Sequence, residues 1–230
     1  MHRYLKILAL DTSTEYCSAA LWVDGDAHVR ETRAGQSHSD LILGMIDGLL
    51  ESGHLRLGDL DGIAFGEGTG SFTGLRIACG VVQGLAFGAG LPVLGVGTLL
   101  AMAEGSGAER VVCCVDARVR EIYHAAYERT GDRWGVIHEP SLCAPSDAPE
   151  LPGDGWLGCG SGFKAYGTAL EQRYAGKLAA IDLQLYPHAR DIAHLAAPRF
   201  AAGLGVSAEE AVPVYLRDKV ALRIDERANR

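Results

Sequence analysis

Two aspartates close apolar runs of strand length: ILALD ends at Asp11 and VVCCVD ends at Asp116. Open α/β sheets place their ligand sites at the carboxyl ends of strands. A carboxylate there can orient a cation or a water. Thr12, Ser13 and Thr14 follow the first aspartate with hydroxyls, and Arg118 follows the second with a guanidinium. Arg118 can face an anion or pair with Asp116. Bringing a nucleotide phosphate against such a strand end requires backbone without a Cβ, which means glycine in the turn. Neither DTST (11–14) nor DAR (116–118) has one.

A second candidate is the glycine-rich stretch GEGTGSFTGLRIACG, residues 66–80. Backbone N–H groups at a helix start bind anions. The known cradles do not match, however. A dinucleotide fingerprint needs glycine at its first, third and sixth positions. Counted from Gly66 the sixth residue is Ser71, and from Gly68 it is Thr73. A P-loop ends in Lys followed by Ser or Thr, and this stretch has no lysine. Glu67 adds a charge that repels phosphate. The stretch reads as a strand-to-helix turn with Ser71 or Thr73 as the helix cap.

Metal and nucleophile chemistry find little support. No two of the eight histidines stand three or four apart, so no helical metal pair and no H-E-x-x-H motif exists. The six cysteines form no C-x-x-C, and most lie in apolar runs, as buried thiols of a reduced cytoplasmic chain do. A net charge of −8 argues against a stand-alone nucleic-acid binder. The longest apolar stretches are strand-length or broken by glycine, so no membrane span is expected. The N-terminus MHRYLKILALD lacks a signal-peptide pattern.

The elements around these residues come in two rhyming halves. ILALDTS, SAALWV and DAHVRET read as strands, with Asp24-Gly25 a hairpin turn. SHSDLILGMIDGLLESG has helical apolar spacing, capped by Ser37 or Ser39 and stopped at Gly53. DGIAFGE is a buried strand, the stretch from Ser71 a helix, and PVLGVG a strand, giving βββαβαβ. The second half restarts with VVCCVDA, EIYHAAYE and RWGVIHE, its turn at Gly131-Asp132. Residues 139–155 hold four of the eight prolines and read as a loop. GWLGCGSGF, FKAYGTALEQRY and HARDIAHLAAPRFAAGL follow as strand, helix and a helix kinked at Pro198. The expected architecture is α/β with two duplicated βββαβα lobes: residues 1–105, carrying the helices that meet a partner, and 106–230, ending in a mobile basic tail. That tail, YLRDKVALRIDERANR, has five basic and three acidic residues and reads as solvated terminus rather than RNA contact.

Gly80, Gly84 and Gly88 recur every four residues in the second helix and share one face. An interior helix glycine costs about 1 kcal/mol against alanine. Close approach of another backbone offsets that cost, as small-x-x-x-small faces allow. The neighbour is either the chain's own helix, residues 39–52, or a pair of helices from another subunit.

Together LALDTSTEYCSAAL, GTGSFTGLRIACGVVQGLAFG, VDARVREIY, GCGSGFKAY and PVYLRDKVA resemble the bacterial TsaB (YeaZ) family, within the actin, hexokinase and Hsp70 ATPase superfamily of paired ribonuclease-H-like lobes. The resemblance spans nearly the whole chain. It implies a subunit without catalytic residues of its own, pairing with a TsaD-type catalytic subunit. With a TsaE-type ATPase, that complex places threonylcarbamoyl on N6 of the adenosine beside the tRNA anticodon. ATP and a metal are then used by the partner subunits, the isolated chain binds no cofactor, and tRNA is met only through the complex. The implied interface comprises Leu41, Met45, Leu49, Gly80, Gly84 and Gly88 with Arg76 at the rim. Asp11, Ser13, Asp116 and Arg118 line a vestigial nucleotide cleft, since the active ATPases of the superfamily use an Asp-x-Gly turn that neither strand end has here; an active small-molecule kinase of the same superfamily is the alternative. The same helices would also serve a homodimer, either when the partner is absent or in a homodimeric regulatory protein. At position 69 this chain has threonine where the family usually has proline, which should leave the turn freer.

Overall fold

The computed structural model describes residues 5–217; the expected mobile tail lies outside the described residues apart from its first three, Tyr215 to Arg217. Strand β1 (Lys6–Asp11) pairs antiparallel with β2 (Tyr16–Val23), which pairs antiparallel with β3 (Asp26–Arg33). Asp24 and Gly25 both take positive φ, the geometry a tight hairpin needs. Helix α1 (His38–Ser52) leads to β4 (Gly62–Gly68), α2 (Phe72–Ala89) and β5 (Val93–Gly97). The first sheet runs β3-β2-β1-β4-β5. After α3 (Thr98–Gly105) come β6 (Arg110–Asp116), β7 (Ile122–Thr130), β8 (Arg133–Cys143), β9 (Trp156–Cys159), α4 (Ser161–Arg173), β10 (Leu178–Asp182) and α5 (Ala189–Ala201). The second sheet, β10-β9-β6-β7-β8, repeats the first strand for strand. The duplication is therefore one of topology: an antiparallel hairpin pair on one side of the founding strand, two parallel strands on the other.

Strand alternation sends side chains to two faces. Leu8, Leu10 and Ile63 point to α1 and α2, meeting Ile42, Ile46, Leu49, Ala78 and Val82. Ile7, Ala9, Ala20 and Ala64 point the other way, to Ile192, Ala193 and Ala196 of α5. In the second sheet Cys114 faces α4, packing with Phe163 and Leu170, while Cys113 faces Leu99 and Met102 of α3. The neighbouring Cys113 and Cys114 thus face opposite sides of the sheet, as strand alternation requires. The two connecting helices thus cross over. Helix α5, read from sequence with the second lobe, covers the first sheet, and α3, from the first half, covers the second.

Other differences have local causes. Residues 139–143 are strand, not loop: β8 is the sheet's edge, and Pro140 sits where its register slips, between His138 opposite Ala126 and Ser141 opposite His124. Edge positions and bulges are where a strand tolerates proline. Helix α5 runs through Pro198 unbroken, and the non-helical residue lies instead in α4, at Tyr166. Helix α2, at 18 residues with a mean hydropathy of 1.3, is long and apolar enough to cross a membrane. Its apolar side, Leu75, Ala78, Val82 and Ala86, is buried in the first lobe.

Candidate functional site

A cleft of about 1110 Å³ lies between the lobes. Its walls carry Ser13 and Thr14 from the end of the first strand, residues 69–75 from the glycine turn, and Asp116, Arg118, Ser161 and Lys164 from the second lobe. Three of the four cleft residues expected from sequence line it. Asp11 does not: it is 1% exposed and lies beneath the wall. Its Oδ1 accepts hydrogen bonds from the Ser13 N–H (3.0 Å) and hydroxyl (2.8 Å), while Oδ2 meets no donor. Burial pushes its carboxyl up to about 6, against the opposing pull of the Ser13 bonds.

Asp116 is held differently. Its Oδ1 accepts from the Arg118 N–H (2.9 Å) and the Tyr166 hydroxyl (3.1 Å), and Arg118 Nη1 stands 3.6 Å from Oδ2. Of the two roles open to Arg118, the structure shows the pairing with Asp116. Residues 118–120 all have positive φ, a left-handed turn at the cleft's rim.

The glycine turn is filled by the chain itself. A Cβ at Gly66 would collide with Asp11 Oδ2, at Gly68 with the Val214 carbonyl, at Gly70 with the Ser13 carbonyl, and at Gly74 with the Thr12 carbonyl. The Ser71 N–H donates to the Ser13 carbonyl (2.7 Å), and the Ser71 hydroxyl accepts from the Gly74 N–H as the cap of α2. These glycines admit protein backbone and a carboxylate where a phosphate loop would admit phosphate. At Thr69, where the family usually has proline, the carbonyl accepts from the Thr98 hydroxyl and the residue is buried. Glu67 turns away from the turn, across Gly95 of β5.

The outward row of α2 is Phe72, Arg76, Gly80, Gly84 and Gly88, all exposed. A Cβ at any of those three glycines would meet nothing within 4 Å. The chain's own α1 therefore does not cover the stripe. Leu41 and Met45 of α1 are half-buried. Leu49 is 2% exposed and belongs to the core, so it cannot contribute to an outer face. Three exposed apolar residues of these two helices lie outside the expected interface set: Phe87 at 73%, Leu43 at 49% and Phe72 at 37%. The signal for Phe72 was present, since it extends the same every-fourth-residue row by one step.

Among the described residues no group of three or more His, Cys, Asp and Glu side chains is placed to hold a metal ion. All six cysteines are free, and five are buried.

Two lobes of repeated topology about such a cleft define a protein of the actin-like ATPase fold, and residues 29–223 match a family model described as TsaD: tRNA N6-adenosine threonylcarbamoyltransferase. Within that class the chain belongs to the TsaB (YeaZ) family. It is 38% identical over 231 residues to the tRNA threonylcarbamoyladenosine biosynthesis protein TsaB of Escherichia coli (strain K12), covering 94% of this chain and 96% of that one. The protein of the same name from Haemophilus influenzae is 39% identical, with 94% and 95% covered. The solved structure of YeaZ from Pseudomonas aeruginosa superposes with a TM-score of 0.85 at 40% identity, over 92% of this chain and all of that one.

Proposed function

We propose that this chain is the non-catalytic partner subunit in N6-threonylcarbamoylation of the adenosine adjacent to the tRNA anticodon, acting in the cytoplasm. It binds and supports a TsaD-type catalytic subunit, with a TsaE-type ATPase completing the machinery. The names of its relatives supply the pathway. The observation that carries the subunit role is the glycine row of α2, an exposed stripe that none of the described residues of its own chain covers. Three interior glycines cost roughly 3 kcal/mol in helix stability, and a second backbone lying on that face is what offsets the cost. The interface is Gly80, Gly84, Gly88 and Arg76, with Leu41 and Met45 beside them and Phe72, Leu43 and Phe87 added. The cleft is vestigial, because the space under the turn is occupied by carbonyls and by Asp11. ATP, metal and tRNA are handled by the partners.

The test is capture of the purified TsaD-type subunit by wild-type chain and by Gly84→Leu. Capture by wild type and loss in the mutant is the expected result. Failure of wild type to capture it, or undiminished capture by the mutant, overturns the assignment. Binding of Mg-ATP at micromolar concentration by the isolated chain would overturn the vestigial cleft. In the absence of the partner the same face makes a homodimer, which sedimentation detects and which Gly84→Leu should dissolve.

A further inference from the structure

The segment that follows the last helical turn, residues 211–217, crosses from one lobe to the other. We propose that it is a strap that latches the mouth of the cleft, with Arg217 as its hook on the second lobe.

The first-lobe end is anchored at three places. The Ala211 carbonyl accepts from Gln83 Nε2 (2.8 Å) and the Cys79 thiol (3.2 Å), both on α2. The Val214 N–H donates to the Glu67 carbonyl (2.7 Å), while the Val214 carbonyl occupies the space that only glycine at 68 leaves open. The Tyr215 hydroxyl accepts from Arg76 Nε (3.1 Å), and its ring lies 5.2 Å from that of Phe72. The second-lobe end is Arg217, whose Nη2 donates to the Ala117 carbonyl (3.1 Å) and to Glu121 Oε2 (2.6 Å). Those two residues close the left-handed turn at 118–120, with the Ala117 N–H donating to the Glu121 carbonyl. Non-glycine residues persist at positive φ where surrounding structure over-determines them, and Arg217 supplies two of the bonds that do so.

Val214 to Arg217 line the same cleft as Asp116 and Arg118, with Arg217 reaching the Ala117 carbonyl between those two residues. Away from the cleft lining the lobes are also joined by Glu104 of α3. Its carboxylate meets Trp134 Nε1 (2.6 Å) and Arg129 (3.6 Å) from the second lobe's hairpin, and His194 Nδ1 (2.6 Å) from α5. The lobes are therefore held by a polar hub at Glu104 and by the strap along the cleft. Releasing the strap with the hub intact lets the lobes swing apart. Hydrogen bonds to a charged group, once lost, shift such an equilibrium by about 10-fold or more.

The experiment measures the distance between spin labels on the two cleft walls of the full chain, at Thr73→Cys and Lys164→Cys with Cys143→Ser, by pulsed electron resonance. In samples diluted with unlabelled chain, so that a homodimer adds no distance between protomers, the unmutated strap should give one narrow distance. Arg217→Gln and, separately, Glu121→Gln should each raise the share of longer distances about 10-fold, at an unfolding temperature that shows the lobes intact. An unchanged distribution in both variants overturns the latch. So does a longer distance in Arg217→Gln that Glu121→Gln does not reproduce, because the hook requires both partners.

Discussion

Asp11 and His124 are two buried titratable groups whose stability effects run in opposite directions with pH. Asp11, raised to about 6 by burial, binds its proton more tightly folded than unfolded. Its contribution is therefore most favourable below about pH 4 and is lost as pH rises to about 6. Asp11→Asn should stabilise the chain at pH 7 by roughly 2–3 kcal/mol and remove that dependence, measured by urea unfolding across pH 4–7. His124 is fully buried with neither ring nitrogen bonded, and burial pushes it down to about 4. A depressed histidine gives stability that is complete above about pH 6.5 and is lost as pH falls to about 4. His124→Leu, which leaves no orphaned donor or acceptor, should gain about 1–3 kcal/mol at pH 7 and flatten the acid limb of the same titration. The aspartate positions were legible in the sequence because a charge ending an apolar strand is a local signal. The burial of Asp11 was not, because the residues that roof it, Gly66 and Thr98, belong to β4 and α3.

Helix α2 contains both kinds of glycine. Gly74 faces the Thr12 carbonyl across a space too small for a methyl group, whereas Gly84 faces open space. The same substitution should therefore have opposite signs ten residues apart. Gly74→Ala should cost about 1–3 kcal/mol by overpacking, and Gly84→Ala should gain about 0.5–1 kcal/mol through helix propensity, both read from thermal unfolding. Stabilisation by Gly84→Ala is also what makes loss of partner binding in Gly84→Leu interpretable. The stripe itself was visible as a period of four. Which α1 residues flank it was not, since Leu41, Met45 and Leu49 lie on one row that runs from the edge of the helix into the core. Strand β10 and helix α3 escaped notice because each is short, five and eight residues, and is held by pairing and packing more than by its own pattern.

At the scale of the molecule, the repeat was legible in the spacing of Asp11 and Asp116 and in the turns that follow them. The crossing of α3 and α5 was not, because nothing local says which sheet a helix will cover. That crossing bears on how the chain is made. As it emerges from a ribosome, the side of the first sheet formed by Ile7, Ala9, Ala20 and Ala64 stays wet until Ile192 and Ala196 have been synthesised. The first lobe begins folding with one apolar side uncovered and finishes it only when most of the protein exists. Residues 1–108 expressed alone should accordingly be insoluble or bind a hydrophobic dye. Co-expression with residues 109–230 should restore a soluble complex, because the missing cover lies in the later piece.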